Sequence, residues 1–187
     1  MKRLSAAAHR LKGQAIFQIL AHVRELEKQE REMLHFELGD PDLDTPEHIV
    51  EAAYSALKSG DTHYAPSSGS TELKHISSDA TMRARRFKPA MNQLLVCAGA
   101  NVMIYYAIAC AVEPGQEVIV PDPGFVSYFS IRDFLGVKPI RIPVREENKF
   151  SLDPEDVEKA ITPKTRMIII NSPSNPTGAM MTPDEIK

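Results

Sequence analysis

Four short segments carry residue types that could do chemistry. In Asn171-Ser172-Pro173-Ser174-Asn175-Pro176-Thr177-Gly178, a polar loop braced by prolines directly follows the apolar run 165–171. If that run is a strand, Asn175 stands at its carboxyl end, where α/β sheets bind ligands, with an amide able to donate and accept. In Gly99-Ala100-Asn101-Val102 a glycine precedes an apolar helical pattern. A helix N-terminus there offers free N–H groups and a positive dipole end, which suits a phosphate. The run Pro121-Asp122-Pro123-Gly124-Phe125-Val126-Ser127-Tyr128 sets two aromatics after another strand, and both could instead be ordinary core residues. Upstream, Gly39 and Tyr64 lie in turn-rich loops, where Tyr64 could equally pack locally.

The elements that must position these groups follow from periodicity. Residues 14–31 read as an amphipathic helix with Ile16, Ile19, Leu20, Val23 and Leu26 on one stripe. Residues 33–45 are irregular. Thr45-Pro46 predicts a hydroxyl-capped helix running to about residue 59 and stopped at Gly60. A loop over 60–70 and a helix over 71–87 come next. Strands are predicted at 93–98, 117–120, 138–143 and 165–171, separated by helices at 100–112, 125–135 and 154–160. This alternation predicts an α/β fold, with the loops 98–101, 121–128 and 171–178 converging at the strand ends. Thr182-Pro183-Asp184-Glu185 is a capping-box helix start.

Composition removes several function classes. A net charge of −3 over 187 residues gives no basic patch for nucleic acid, and the longest apolar stretch, near 102–112, is too short to span a bilayer. Lys2 and Arg3 have no apolar segment behind them, so no secretory leader is expected. The two cysteines, Cys97 and Cys110, make no framework and are expected as buried thiols in a reducing cytoplasm. The six histidines show no metal-ligand spacing, so no metal site is expected. A dinucleotide site is disfavoured because Gly99-Ala100-Asn101-Val102 lacks the G-x-G-x-x-G pattern.

Taken in order, these segments resemble class I/II aminotransferases, enzymes that use pyridoxal 5'-phosphate (PLP), from about Leu11 to Lys187. The 171–178 run is similar to the family's asparagine signature. Leu38-Gly39-Asp40-Pro41-Asp42-Leu43-Asp44-Thr45-Pro46 resembles its Gly-Glu-Pro-Asp-Phe-Asp-Thr-Pro opening. Thr62-His63-Tyr64-Ala65-Pro66-Ser67-Ser68-Gly69 resembles its Tyr-x-x-x-x-Gly loop. Where many members carry Gly-Ala-Lys-Gln, this chain has Gly99-Ala100-Asn101-Val102, a departure that leaves backbone binding intact.

The resemblance implies a PLP-dependent fold type I large domain, with a mixed, mostly parallel sheet and flanking helices. Residues 1–45 would form a helical segment and arm of the small domain, and 46–187 an incomplete PLP-binding large domain. It implies that Asn175 bonds the phenolic oxygen of PLP, that Phe125 stacks on the pyridine ring, and that Gly99, Ala100 and Asn101 hold the phosphate. Asn175 and Phe125 would also border the substrate, whose carboxylate meets the backbone of Gly39. Tyr64 would reach the PLP phosphate of the other subunit in a homodimer.

The family's Schiff-base lysine, its pyridinium-pairing aspartate and its carboxylate-binding arginine all follow the asparagine signature. None of this chain's lysines is expected to lie in the Ser/Asn-x-x-Lys context, so no catalytic residue is assigned. The expected activity is amino transfer between an α-amino acid and a 2-oxo acid, with this 187-residue chain a fragment inactive alone. The alternatives are a β-lyase or carbon–sulfur lyase of the same fold, and a non-catalytic PLP-binding fragment or pseudoenzyme.

Overall fold

The structure, a computed structural model, describes residues 4–10 and 15–186. Lys2 and Arg3, the expected helix start at 14, and Leu11 and Lys187 at the ends of the resemblance lie outside the described residues. The chain divides into two compact units, residues 1–25 with 100–187, and residues 26–99.

The first unit is built on a three-stranded parallel sheet in the order β2-β1-β3, with β1 Glu117–Asp122, β2 Lys138–Pro143 and β3 Thr165–Ile168. This is the α/β architecture that the alternating pattern predicts. The central strand is buried on both faces, so Val118, Ile119 and Val120 read as a continuous apolar run. Its side chains alternate between two cores. Val118 and Val120 join Ile108, Val112, Tyr128 and Val137 on one face, while Ile119 joins Ile142, Val144 and Leu152 on the other. Helices α5 (Ala100–Ala111) and α6 (Val126–Leu135) pack together, with α5 also against β3. Helix α1 (Ala6–Arg10) lies on α6, and α7 (Pro154–Ala160) covers β2 from an Asp153 cap. The capping box before α8 (Pro183–Ile186) forms reciprocally. Glu185 Oε2 accepts the Thr182 N–H at 2.6 Å, and Thr182 Oγ1 accepts the Glu185 N–H at 3.3 Å.

A tie at the start of the sheet joins all three strand regions. Glu117 is 3% exposed, and its carboxylate accepts from Lys138 Nζ at 3.0 Å and from the Thr162 hydroxyl at 2.6 Å. Both donors hold its carboxyl below the usual carboxylate range, the Thr162 hydrogen bond most and Lys138 next.

In the second unit, α3 (Glu47–Lys58) and α4 (Thr71–Arg85) match the two predicted helices to within two residues. Helix α2 (Ala15–Glu27), which crosses from one unit to the other, stops four residues before the predicted 31. The cause is local: the Arg31 N–H turns back to Leu26 O and Glu30 takes a left-handed φ of 60°. The Thr45 cap does not form. Pro46 is itself the cap residue, no side chain caps the helix, and the Pro46 carbonyl receives the Ile49 and Val50 N–H groups. Ser70 caps α4, accepting from the Leu73 N–H at 3.4 Å.

The predicted strand 93–98 is absent. Met91–Gln93 form a 3-10 turn, and beyond it the backbone is extended at Leu94 but joins no ladder. A strand exists only by pairing, and the Val96 N–H finds Ser68 O in the 60–70 loop instead.

Candidate functional site

The carboxyl ends of β1 and β3 are neighbours, which brings the loops 121–128 and 171–178 together. Pro121 lines one small cavity with Ile169, Ile170, Asn171 and Ser174, so the two loops share a wall. The Asp122–Pro123, Ser172–Pro173 and Asn175–Pro176 peptide bonds in them are cis.

The 171–178 loop is shaped by its first two polar residues. Asn171 Oδ1 accepts the Asn175 N–H at 2.8 Å, and Asn171 Nδ2 donates to Pro173 O at 3.1 Å. The Ser172 hydroxyl accepts the Met181 N–H at 2.9 Å, while Ser174 and Ala179 close the turn through their backbones. These bonds use the asparagine and serine side chains that flank Asn175 but leave its own amide exposed. Among the described residues the Asn175 side chain makes no hydrogen bond. The scaffolding role of Asn171 was missed in the sequence, although an Asn just after a strand and before a proline is a turn-forming signal.

Phe125 is half-buried and meets Tyr128 edge to face, with centroids 5.7 Å apart and planes at 86°. It therefore packs on the apolar cluster around Ile108 and Val120 while keeping part of its surface outside. Tyr128 is a core residue, 8% exposed, and burial pushes its phenol up. Behind them, Arg141 Nη1 donates to Asp122 Oδ2 at 3.0 Å and its guanidinium lies 4.5 Å from the centre of the Phe129 ring. This brace clamps the start of the aromatic loop to β2. Nothing in the sequence pattern pairs residues so far apart.

Ile104, one turn into α5, packs on the same cluster as Phe125. Ala100 and Asn101 begin that helix and are exposed, and the N–H groups of its first turn have no intrahelical partner. Gly99 precedes them at φ +90°, a left-handed conformation that other residues rarely adopt. Its N–H is turned back to Cys97 O, which leaves the amides after it as the ones available to an anion.

Gly39 and Tyr64 belong to the unit 26–99. Gly39 is exposed, and a Cβ there would have nothing within 4 Å, so any close approach that needs a glycine comes from a ligand or another segment. Tyr64 is fully exposed rather than packed on its own loop.

Two expectations need correcting. Cys97 is half-buried and Cys110 exposed, because Cys110 faces away from the buried side of α5, where Ile108 lies. And Ser55-Ala56-Leu57-Lys58 does carry the Ser-x-x-Lys spacing. Lys58, however, ends α3 with its ammonium 5.2 Å from the Tyr54 ring centre, on an exposed helix that precedes the 99–101 junction.

The family model described as aminotransferase class I and II matches residues 31–187. The chain is 37% identical over 185 residues to the aspartate aminotransferase of Bacillus subtilis, covering 99% of this chain and 46% of that protein. It is 40% identical over 151 residues to aromatic-amino-acid aminotransferase 2 of Thermococcus litoralis, covering 80% and 39%. The solved aspartate aminotransferase of Thermus thermophilus with maleate superimposes at a TM-score of 0.94 with 34% identity, over 100% of this chain and 49% of that one. The chain thus spans about half the length of the curated relatives it matches. Among the described residues no helix is long and apolar enough to cross a membrane.

Proposed function

Because this chain belongs to the class I and II aminotransferase family, with the α/β fold of solved aspartate aminotransferases, we propose that it supplies the cofactor cradle of a PLP-dependent aminotransferase. The reaction moves an amino group between an α-amino acid and a 2-oxo acid. The relatives' names, aspartate and aromatic aminotransferases, indicate the range of amino acids to test. We assign residues 46–187 to the cofactor-binding large domain and 1–45 to the arm of a small domain, in a protein that works in the cytoplasm.

The observation that carries this reading is the exposed, unpartnered amide of Asn175, set by Asn171 at the carboxyl side of β3. Its chemistry fits the phenolic oxygen of the cofactor, which needs a donor. Ala100 and Asn101 fit the phosphate through their N–H groups at the start of α5. Phe125 offers a ring held by Tyr128, which fits a flat heteroaromatic partner. Bound there, PLP supplies an electron sink for the bond broken at the substrate Cα. The chain's residues bind and orient: Asn175 donates its amide hydrogen to the phenolic oxygen, Phe125 keeps the ring in plane, and Gly39 lets its backbone meet the substrate carboxylate. No residue of this chain is assigned to move the Cα proton, so we propose that it does not turn over by itself.

We propose a homodimer, in which Tyr64 reaches the phosphate held by the other subunit. Support comes from the full exposure of Tyr64 and from the apolar face of α3, where Ile49, Val50, Tyr54 and Leu57 are all exposed.

Pyridoxamine 5'-phosphate tests the cradle, since it has no aldehyde to react with stray lysines. Saturable binding is expected from its fluorescence, and Asn175→Ala should abolish most of it. An absence of saturable binding by the wild-type chain sinks the proposal. Conversion of aspartate and 2-oxoglutarate by the chain alone would overturn the assignment of no catalytic residue.

A further inference from the structure

His35 lies between α2 and Gly39, and both of its ring nitrogens face carboxylates. Nε2 is 2.7 Å from Glu27 Oε1, at the last residue of α2, and Nδ1 is 2.8 Å from Glu37 Oε1 on the same segment as the ring. A neutral imidazole has one N–H and one lone pair, so it can donate to only one of them and must aim its lone pair at the other. Only the imidazolium donates to both. The Glu37 side chain is 7% exposed, so one acceptor is shielded and held, while Glu27 and His35 stay open to solvent at 41% and 43%.

The backbone gives the segment little other support. Among the described residues, no backbone–backbone hydrogen bond outside helices and strands involves residues 32–44. The last such bonds of the α2 end are those of Gln29, Glu30 and Arg31 to Leu26 and Glu27. The contacts of His35 tie the chain leading to Gly39 back to the end of α2.

We propose that His35 is a pH-sensitive clasp: as an imidazolium it bridges the end of α2 to the Glu37 carboxylate, and loss of its proton to solvent opens one of the two links. The groups facing the ring are Glu37 on its own segment and Glu27 on α2. Both hold the imidazole above its ordinary value, Glu37 most and Glu27 next, and His35 in turn lowers Glu37. A raised histidine stabilises fully below its unfolded pKa of about 6.5, and the stabilisation is lost as pH rises through the folded value. Resting on the proposed function, the clasp makes His35 a positioning residue for the Gly39 contact with the substrate carboxylate. The clasp itself needs no activity to be seen.

The test is a titration of the full chain by NMR. Ring nitrogens of labelled histidine report the His35 pKa, and 15N relaxation of amides 33–39 reports the segment's mobility. The expected result is a His35 pKa above 6.5, lowered by Glu37→Gln and, less strongly, by Glu27→Gln. Order parameters of 33–39 should fall as pH passes that value, and should be low at every pH in His35→Gln. A wild-type ring that titrates at or below the ordinary value overturns the clasp without any variant. So does mobility that is indifferent to both pH and His35→Gln. Neither readout depends on cofactor binding, so failure of the aminotransferase reading would leave this result standing, and the reverse holds too.

Discussion

Asn171 spends its whole side-chain amide on the loop that presents Asn175: its Oδ1 accepts the Asn175 N–H at 2.8 Å and its Nδ2 donates to Pro173 O at 3.1 Å. Two asparagines four residues apart thus have opposite jobs, one internal and one facing outward.

That division predicts two distinguishable variants. Asn171→Ala should lower stability by about 1–2 kcal/mol for two lost hydrogen bonds and weaken pyridoxamine phosphate binding as the loop loosens. Asn175→Ala should leave stability unchanged and remove binding. Urea midpoints and fluorescence titrations on the same preparations separate the two. Equal loss of stability in both would show that Asn175 is structural.

Phe125 should act through its face. Removing the ring in Phe125→Ala is expected to weaken binding by about 0.5–1.5 kcal/mol, roughly 2- to 12-fold. Some stability goes with it, because the ring packs at right angles against Tyr128. Phe125→Trp should restore affinity. If Phe125→Leu binds as tightly as wild type, the ring is core packing and nothing more.

Glu117 should make the first unit acid-sensitive. Its carboxyl is held below the usual range by Thr162 and Lys138, so the stabilisation is present above the unfolded pKa of about 4.3 and is lost as pH falls through the lower folded value. Denaturation midpoints of the wild type should drop between pH 6 and pH 3. Glu117→Gln should be less stable at pH 6 and show a shallower acid slope. Parallel slopes in the two proteins would contradict the linkage.

Gly69 should tolerate no side chain. It sits at φ +96°, and a Cβ there would strike the Cβ of Val96, an atom fixed by its backbone. Gly69→Ala is expected to cost more than about 1 kcal/mol, seen as a lower thermal midpoint, with Val96→Gly relieving the clash but not the strained φ. An unchanged midpoint in Gly69→Ala would refute the close approach.

Much of the fold is written in local pattern. The apolar run of β1 reads as a strand, and the α3, α4, α5 and α7 segments read as helices, because periodicity and capping act between residues a few positions apart. Asp153, Ser70 and the Thr182–Glu185 box behave as neighbours in sequence do. The motif segments fall where local pattern places them, two after strands and one at a helix start. Two local signals failed because a competing backbone arrangement won: Pro46 took the cap position that Thr45 was expected to hold, and Arg31 closed the α2 end on Leu26.

What only the tertiary structure decided depends on partners far apart in the chain. Leu94 is extended yet residues 94–98 form no strand, since a ladder needs a second strand and Ser68 takes the Val96 N–H. Glu117 is stable as a buried carboxylate because Lys138 and Thr162 arrive from other strand regions. Arg141 finds Asp122 and Phe129 only when β2 pairs with β1. His35 becomes a bridge between two acids because α2 ends where it does. The sequence by itself determined which groups the protein has to offer a ligand. The fold decided which of them are used up in holding it together and which, like the Asn175 amide, are left free, because a hydrogen bond is satisfied by nearness in space and not by position along the chain.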